Sequence, residues 1–168
     1  MKQRKKFSIL IVFILVMTVI IALDQWTKHL IVTRFLLYQS KEVFKGWFNL
    51  VYVHNTGVAF GFFNGPNNLP KNLFFSGVTL VSVGVVLYFL IQALAKRDIF
   101  QSVLLGMICG GAFGNLIDRF RIGAVVDFIE IYYKKYHWPA FNLADAAISV
   151  GIILLTLNLI LKKPEPPG

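Results

Sequence analysis

Charged residues are scarce in this 168-residue sequence, and acidic ones are the scarcest: only eight Asp or Glu accompany 17 Lys or Arg. Hydrophobic residues make up 57% of the chain, which is too apolar for an ordinary soluble domain. Several long runs lack any charge, and a membrane span needs about 20 mostly apolar residues. We therefore predict four transmembrane helices, at about 7–24, 72–95, 99–119 and 140–161.

Cysteine and histidine are also rare. The single cysteine, Cys109, cannot form an internal disulfide, and it lies among glycines in the third run, where we interpret it as a packing residue. The three histidines are scattered, and no HExxH motif or serine–histidine–acid arrangement is present. These absences argue against a metal centre, and we expect neither a metal nor another cofactor.

The first apolar run follows a cationic N-terminus, as a secretory signal peptide does. No small-x-small cleavage site follows it, and the chain continues with "DQWTK" at 24–28. We therefore predict a retained helix. A chain of this length favours one domain, so we expect a single membrane-embedded domain over residues 1–161. The proline-rich tail at 162–168 is predicted to be disordered.

The net charge of +9 comes from cations that do not form a stripe on a soluble domain, so we expect no nucleic-acid partner. The cations cluster at span ends, which predicts cytoplasmic termini, a cytoplasmic turn at 96–98, and outward loops at 25–71 and 118–137. In this topology eight Lys or Arg lie inside and nine outside. The number of cations therefore does not favour it, and only their higher density in the short cytoplasmic segments does. Some of the outer cations are expected to belong to a site.

The outward loops contain strand-like segments. "WFNLVYV" at 47–53 is rich in aromatic and branched residues, and "AVVDFIEIYY" at 124–133 also has the composition of extended chain. We predict an all-α polytopic membrane protein with four transmembrane helices and a small outward-facing β-sheet between helices 1 and 2. In the third run, Gly106, Gly110 and Gly114 share one helical face, which favours close packing within the molecule, with a dimer seam as the alternative. We expect a monomer.

Ionisable residues at membrane depth are usually functional, and four aspartates occur at or near the outward ends of spans: Asp24, Asp118, Asp127 and Asp145. Two carboxylates close together share a proton, and such a pair can activate water for peptide hydrolysis. The pattern does not identify which two form the pair. It equally fits a proton-coupled transporter or channel, and it also fits a scaffold held by structural ion pairs.

Five ordered motifs narrow this choice: "DQWTK", "HNTGVAFG" at 54–61, "GGAFGNLIDR" at 110–119, "VVDF" at 125–128 and "FNLADA" at 141–146. With them the chain resembles the bacterial lipoprotein signal peptidases, the signal peptidase II family. The resemblance implies an intramembrane aspartyl protease that cleaves diacylglyceryl-modified prolipoproteins before the lipidated cysteine. It also implies a bacterial cytoplasmic (inner) membrane location among membrane lipids, with the active site toward the outer leaflet.

The resemblance also assigns roles to individual residues. It implies that Asp127 and Asp145 are the catalytic pair, that Asp118 is structural, and that Asp24 with Lys28 forms a polar support near the site. The residues implied to line the substrate pocket are Asn55, Gly57, Phe60, Asn115, Arg119 and Asn142. The sequence departs from the family pattern at Val58, where alanine is usual.

Overall fold

A computed structural model describes residues 2–57, 69–96 and 98–161 of the chain. Within these residues the chain forms four helices and one four-stranded sheet. The helices are α1 (Lys2–Arg34), α2 (Leu69–Lys96), α3 (Ile99–Ile122) and α4 (Leu143–Leu161). The strands are β1 (Ser40–Phe44), β2 (Phe48–Asn55), β3 (Val125–Tyr133) and β4 (Tyr136–His137). The predicted tail and the predicted pocket residue Phe60 lie outside the described residues.

The helices are those of a membrane protein. Among the described residues, three segments are long and apolar enough to cross a bilayer: Phe7–Arg34, Ile99–Ile122 and Leu143–Leu161. In α2 the corresponding apolar stretch is the shorter Leu80–Lys96, so the fourth span remains a prediction. Helix α1 continues past the predicted span end at residue 24, because residues 24–34 contain neither glycine nor proline. Because of this extension, Asp24 and Lys28 both lie on α1.

Helix α3 is the centre of the bundle and packs against α1, α2 and α4. Its glycines permit close approach to α1: a Cβ at Gly106 would lie 2.9 Å from the carbonyl oxygen of Phe13, and one at Gly110 would lie 2.8 Å from Cβ of Ile20. The prediction that this glycine face packs within the molecule is therefore confirmed. Cys109 lies buried in the apolar core of the bundle, as its interpretation as a packing residue requires.

The sheet is antiparallel, in the order β1-β2-β3-β4. Our prediction placed the sheet between the first two helices, which is correct for β1 and β2 but wrong for β3 and β4, because these come from the connection between α3 and α4. The physical reason is that β1 pairs with only one edge of β2, which leaves the backbone N–H and C=O groups of the other edge without partners. Strand β3, which is rich in β-branched and aromatic residues, pairs with that edge. Strand β3 lies in the segment at 124–133, whose composition indicated extended chain. The buried residues that hold the sheet on α1 are Ile31, Tyr52, Val126 and Phe128.

The register between β2 and β3 positions the candidate site. Asn55 pairs with Val125, and Val53 pairs with Asp127, at the end of the sheet where β2 finishes and β3 begins. An isolated bridge between Ile129 and Phe141 then brings the chain next to β3 again, just before α4 begins. The start of α4, the end of α3 and this end of the sheet consequently meet.

Candidate active site

Helix α4 begins with a reciprocal cap that fixes the carboxylate of Asp145. Asn142 precedes the first helical residue, and its Oδ1 accepts a hydrogen bond from the backbone N–H of Asp145 at 2.9 Å. In return, Oδ2 of Asp145 accepts from the backbone N–H of Asn142 at 3.3 Å. This is a capping box built from Asn and Asp. It places a carboxylate at a helix N-terminus, where the helix dipole favours negative charge.

Asp127 projects from β3 and is 1% exposed. Its Oδ1 accepts a hydrogen bond from Nδ2 of Asn142 at 2.7 Å, and its Oδ2 accepts one from Nδ2 of Asn55 at 2.9 Å. Asn55 is itself held in place, because its Oδ1 accepts from the backbone N–H of Gly57 at 3.0 Å. Each carboxylate oxygen of Asp127 therefore has an amide donor from a different element.

Asn115 of α3 completes the link between the two carboxylates. Its Nδ2 donates to Oδ1 of Asp145 at 2.8 Å, and its Oδ1 accepts from Nδ2 of Asn142 at 3.1 Å and from Nζ of Lys28 at 3.0 Å. An ammonium group can only donate, so the Lys28 contact fixes which side of the Asn115 amide faces Asp145. One continuous hydrogen-bond network thus joins Asp127 to Asp145.

Lys28 is the hub of a buried ion cluster beneath this network. Its Nζ lies 2.8 Å from Oδ2 of Asp24 and 2.8 Å from Oδ2 of Asp118, and the contact with Asn115 uses its third donor. Asp24 also accepts from the backbone N–H of Ala144 in the first turn of α4, at 3.0 Å. Asp118 accepts from the backbone N–H of Val126 in β3, at 3.1 Å. The cluster therefore joins α1 and α3 to the elements that carry both dyad candidates.

One polar residue of this cluster escaped the sequence reasoning. Nε2 of Gln25 lies 3.0 Å from Oδ1 of Asp118, 3.2 Å from Oδ2 of Asp24 and 3.1 Å from the carbonyl oxygen of Gly114. Its position between Asp24 and Lys28 in the "DQWTK" motif was the available signal. The contacts of Gln25 hold α1 against α3 at the level of the ion cluster.

The environment of Asp127 favours its protonated form. Burial, and then the nearby charge of Asp145, raise the pKa of Asp127 to about 7, although the hydrogen bonds from Asn55 and Asn142 act in the opposite direction. Such a value leaves the proton available for exchange near neutral pH. The arrangement thus combines a carboxylate at a helix N-terminus with a buried carboxyl group that retains a proton.

A cavity of about 510 Å³ opens beside this pair. It is lined by the predicted site residues Asn55, Gly57, Asn115, Arg119 and Asp145. Asp127 is not among the described residues that line it, and neither are Asp24, Lys28, Asp118 and Asn142, which lie in the supporting network. The rest of the lining was not anticipated from the sequence and is mostly apolar. It consists of Val125, Trp138, Pro139, Ala140, Phe141, Ala146, Ile148 and Val150, together with the polar Ser149.

Across the described part of the chain, no three side chains of His, Cys, Asp or Glu are grouped so that they could hold a metal ion. The amide and ammonium groups around the carboxylates instead supply donors to nearly every carboxylate oxygen. The site is therefore suited to acid–base chemistry on a bound water.

Comparisons with known proteins identify a family of similar chains. The family profile described as "Signal peptidase (SPase) II" matches residues 16–161. A lipoprotein signal peptidase of Syntrophus aciditrophicus (strain SB) is 42% identical over 156 residues, covering 93% of this chain and 96% of that protein. One from Desulforapulum autotrophicum (strain ATCC 43914 / DSM 3382 / VKM B-1955 / HRM2) is 45% identical over 149 residues, covering 89% and 91%.

Two solved structures have a fold similar to that of this chain. A bacterial membrane enzyme structure determined by the in meso method at 2.3 Å resolution superposes with a TM-score of 0.78 at 32% identity. The superposition covers 92% of this chain and 94% of the chain in that structure. A second such structure, at 1.9 Å resolution, gives a TM-score of 0.75 at 32% identity, covering 90% and 94%.

Proposed function

Because the chain belongs to the signal peptidase II family of aspartic peptidases, we propose that it cleaves diacylglyceryl-modified prolipoproteins before the lipidated cysteine, with Asp127 and Asp145 as a water-activating pair. One observation carries the mechanism: Asn115 and Asn142 join the two carboxyl groups in a single hydrogen-bond network. Of the pair, Asp145 lines the cavity and Asp127 is buried behind it.

The two carboxyl groups divide the reaction between them. Asp145 takes a proton from a water molecule in the cavity, and the water oxygen attacks the scissile carbonyl carbon. This step requires the bound peptide to bring its carbonyl oxygen past the cavity wall to Asp127. Asp127 then gives its proton to that oxygen, which yields a neutral tetrahedral intermediate. When the carbon–nitrogen bond breaks, Asp145 returns its proton to the leaving amine and Asp127 recovers one from the intermediate. Both groups then regain their starting states, and one water has been consumed.

The cavity walls fit a lipid-bearing peptide. The polar wall carries Arg119 and the amides of Asn55 and Asn115, which can bind a peptide backbone. The apolar wall includes Phe141 and Ile148, which suit acyl chains or the apolar residues of a signal peptide. The proposed topology has four spans, with both termini in the cytoplasm and this cavity toward the outer leaflet of the bacterial inner membrane.

The proton-coupled transporter that the acidic residues alone permitted has no support from the relatives, which are named as lipoprotein signal peptidases. The buried Lys28 and its acidic partners instead have a structural explanation. Lys28, Asp24 and Asp118 satisfy one another and cap backbone N–H groups of α4 and β3. They act as supports for the catalytic pair.

The test uses the full-length chain in detergent or vesicles and a diacylglyceryl-modified precursor, with cleavage followed as a gel shift. Asp127→Asn and Asp145→Asn should each abolish cleavage, because each removes a group that must exchange a proton. The matched control is Asp98→Asn: Asp98 caps α3 through the N–H of Gln101, and asparagine is an equally good cap. Near-normal turnover by either dyad variant would contradict the mechanism.

A further inference from the structure

Two hairpin turns lie side by side at the end of the sheet that is remote from the active site. We call them the hairpin tips: residues 45–47, between β1 and β2, and residues 134–135, between β3 and β4. The backbone N–H of Tyr132 donates to the carbonyl oxygen of Trp47 at 2.9 Å, and the N–H of Gly46 donates to the hydroxyl of Tyr132 at 2.8 Å. Strand β2 has eight residues, so the tips lie roughly 25 Å from Asn55.

The hairpin tips combine exposed aromatic rings with exposed lysines. Trp47 is 60% exposed and Tyr136 is 70% exposed. Lys45, Lys134 and Lys135 are exposed beside them. The Trp47 and Tyr133 ring centroids are 5.1 Å apart, and the ammonium groups of Lys134 and Lys135 lie 5.3 and 5.7 Å from the ring centroids of Tyr133 and Tyr136. Trp and Tyr with neighbouring lysines are typical of a membrane–water interface.

Lysine is an uncommon residue for the backbone conformation found at the second tip. A two-residue turn joins Tyr133 to Tyr136, and Lys134 in that turn has φ 55°. Hairpin turns of this length need a positive φ, which glycine and asparagine adopt most readily. Turn geometry therefore disfavours lysine at this position, and the residue is better explained by what its side chain contacts.

Two acidic groups, Glu42 and Glu130, lie near the hairpin tips and offset part of the lysine charge. Glu42 accepts hydrogen bonds from the hydroxyl of Tyr132 and the N–H of Gly46. Glu130 accepts from Asn49 at 2.6 Å and lies 3.2 Å from Nδ1 of His137. Both carboxylates keep their negative charge, and that of Glu42 acts on Lys45. Three lysines against two carboxylates leave the tips with a net charge of +1, which lies with the Lys134–Lys135 turn.

We propose that the hairpin tips form a binding surface for anionic phospholipid headgroups at the bilayer surface. The lysines contact lipid phosphates, and the rings of Trp47, Tyr133 and Tyr136 settle among the headgroups and upper acyl chains. This role also accounts for three of the nine Lys or Arg on the predicted outer side of the membrane, which the active site leaves unexplained. The proposal needs the chain in a bilayer but does not depend on its peptidase activity.

The experiment measures which lipid surrounds Trp47. A Trp26→Phe/Trp138→Phe background leaves Trp47 as the only tryptophan of the chain. The full-length protein is reconstituted in vesicles of one fixed mixture of phosphatidylglycerol and phosphatidylcholine, with brominated acyl chains on one or the other lipid. Quenching by brominated phosphatidylglycerol, corrected for mole fraction, should exceed that by brominated phosphatidylcholine about twofold or more, and the excess should shrink at high salt.

Three results would overturn the proposal. Equal quenching by the two lipids would show no anionic preference. An excess that persists in Lys45→Gln/Lys134→Gln/Lys135→Gln would show that the lysines are not its cause. Absence of quenching by both lipids would place the tips away from the bilayer and indicate a protein partner instead. The matching Lys→Arg triple variant should keep the excess, and the single Lys→Gln variants provide the same test in graded form if the triple variant does not fold.

Discussion

Asn142 and Asp145 cap each other: the side chain of each accepts a hydrogen bond from the backbone N–H of the other. The same Asn142 side chain uses its Nδ2 to donate to Oδ1 of Asp127. Asn142 therefore takes part both in the start of α4 and in the positioning of the proposed catalytic pair. Substitutions that separate the two functions of Asn142 can test whether they are independent.

Asn142→Ser should retain the helix cap and lose the catalytic contact. Serine is a good N-cap residue, but it has no amide donor for Asp127. The loss of thermal stability should be smaller than that of Asn142→Ala, because the cap remains although the contacts with Asn115 and Val126 are lost as well. Turnover should fall about tenfold or more, the loss expected for a hydrogen bond to a buried carboxyl group. Asn142→Ala removes both functions and should in addition destabilise the fold by about 1 kcal/mol. Equal turnover by the parent chain and Asn142→Ser would contradict the positioning role.

The raised pKa of Asp127 predicts how stability depends on pH. The folded chain holds this proton with a pKa of about 7 and the unfolded chain with an ordinary value near 3.8. Between these values the unfolded chain loses its proton first, so the free energy of unfolding falls as the pH rises through this window and stays low above pH 7.

Asp127→Asn removes this ionisation. Its melting temperature should therefore change less than that of the parent chain between about pH 5 and about pH 8. Turnover of the parent enzyme should fall as the pH rises above about 7, because the proton that Asp127 gives to the carbonyl is lost. Thermal unfolding and turnover measured across the same pH series check both statements. Parallel melting profiles for the two chains would show that Asp127 is not the group responsible.

Asp118 should matter for stability more than for chemistry. It faces Lys28 at 2.8 Å and caps the N–H of Val126, and it is absent from the described cavity wall. Breaking a buried ion pair by neutralising one partner costs about 3–5 kcal/mol. We expect Asp118→Asn to lower the melting temperature and the yield of folded protein, while turnover per folded molecule stays within a few-fold of the parent. A large loss of turnover at unchanged stability would assign Asp118 a direct catalytic role.

The sequence reveals the polar cluster but not its internal connections. Uncharged runs predict helices because a bilayer imposes a length and a composition on them. The aspartates stand out because charge is rare there. Partners such as Lys28 for Asp118 cannot be read from spacing, since they depend on how closely α1 approaches α3. The burial of Asp127 likewise depends on pairing with β2, whose residues lie far away in sequence.

The capping box of α4 was within reach of sequence reasoning. Asn142 and Asp145 have the spacing of the motif and precede an apolar run. The predicted span at 140–161 nevertheless began before the cap, because hydropathy continues through Phe141. The strand order of the sheet was harder to predict, because the pairing of β2 depends on complementary strand edges and not on proximity in the sequence. Local pattern therefore predicts the helices and the candidate acids, and long-range pairing decides how they meet.

Gly114 should tolerate no larger residue, because its lack of a side chain makes room for the ion cluster. A Cβ there would lie 2.6 Å from Oδ2 of Asp24, the oxygen that contacts Lys28. Gly114→Ala should therefore displace Asp24, lower the melting temperature and reduce turnover. Gly84→Ala in α2 is the matched control: a Cβ there would meet nothing within 4 Å, so this change should be neutral or stabilise the helix by about 0.5–1 kcal/mol. If both variants melt like the parent chain, close packing at Gly114 is not what holds Asp24 against Lys28.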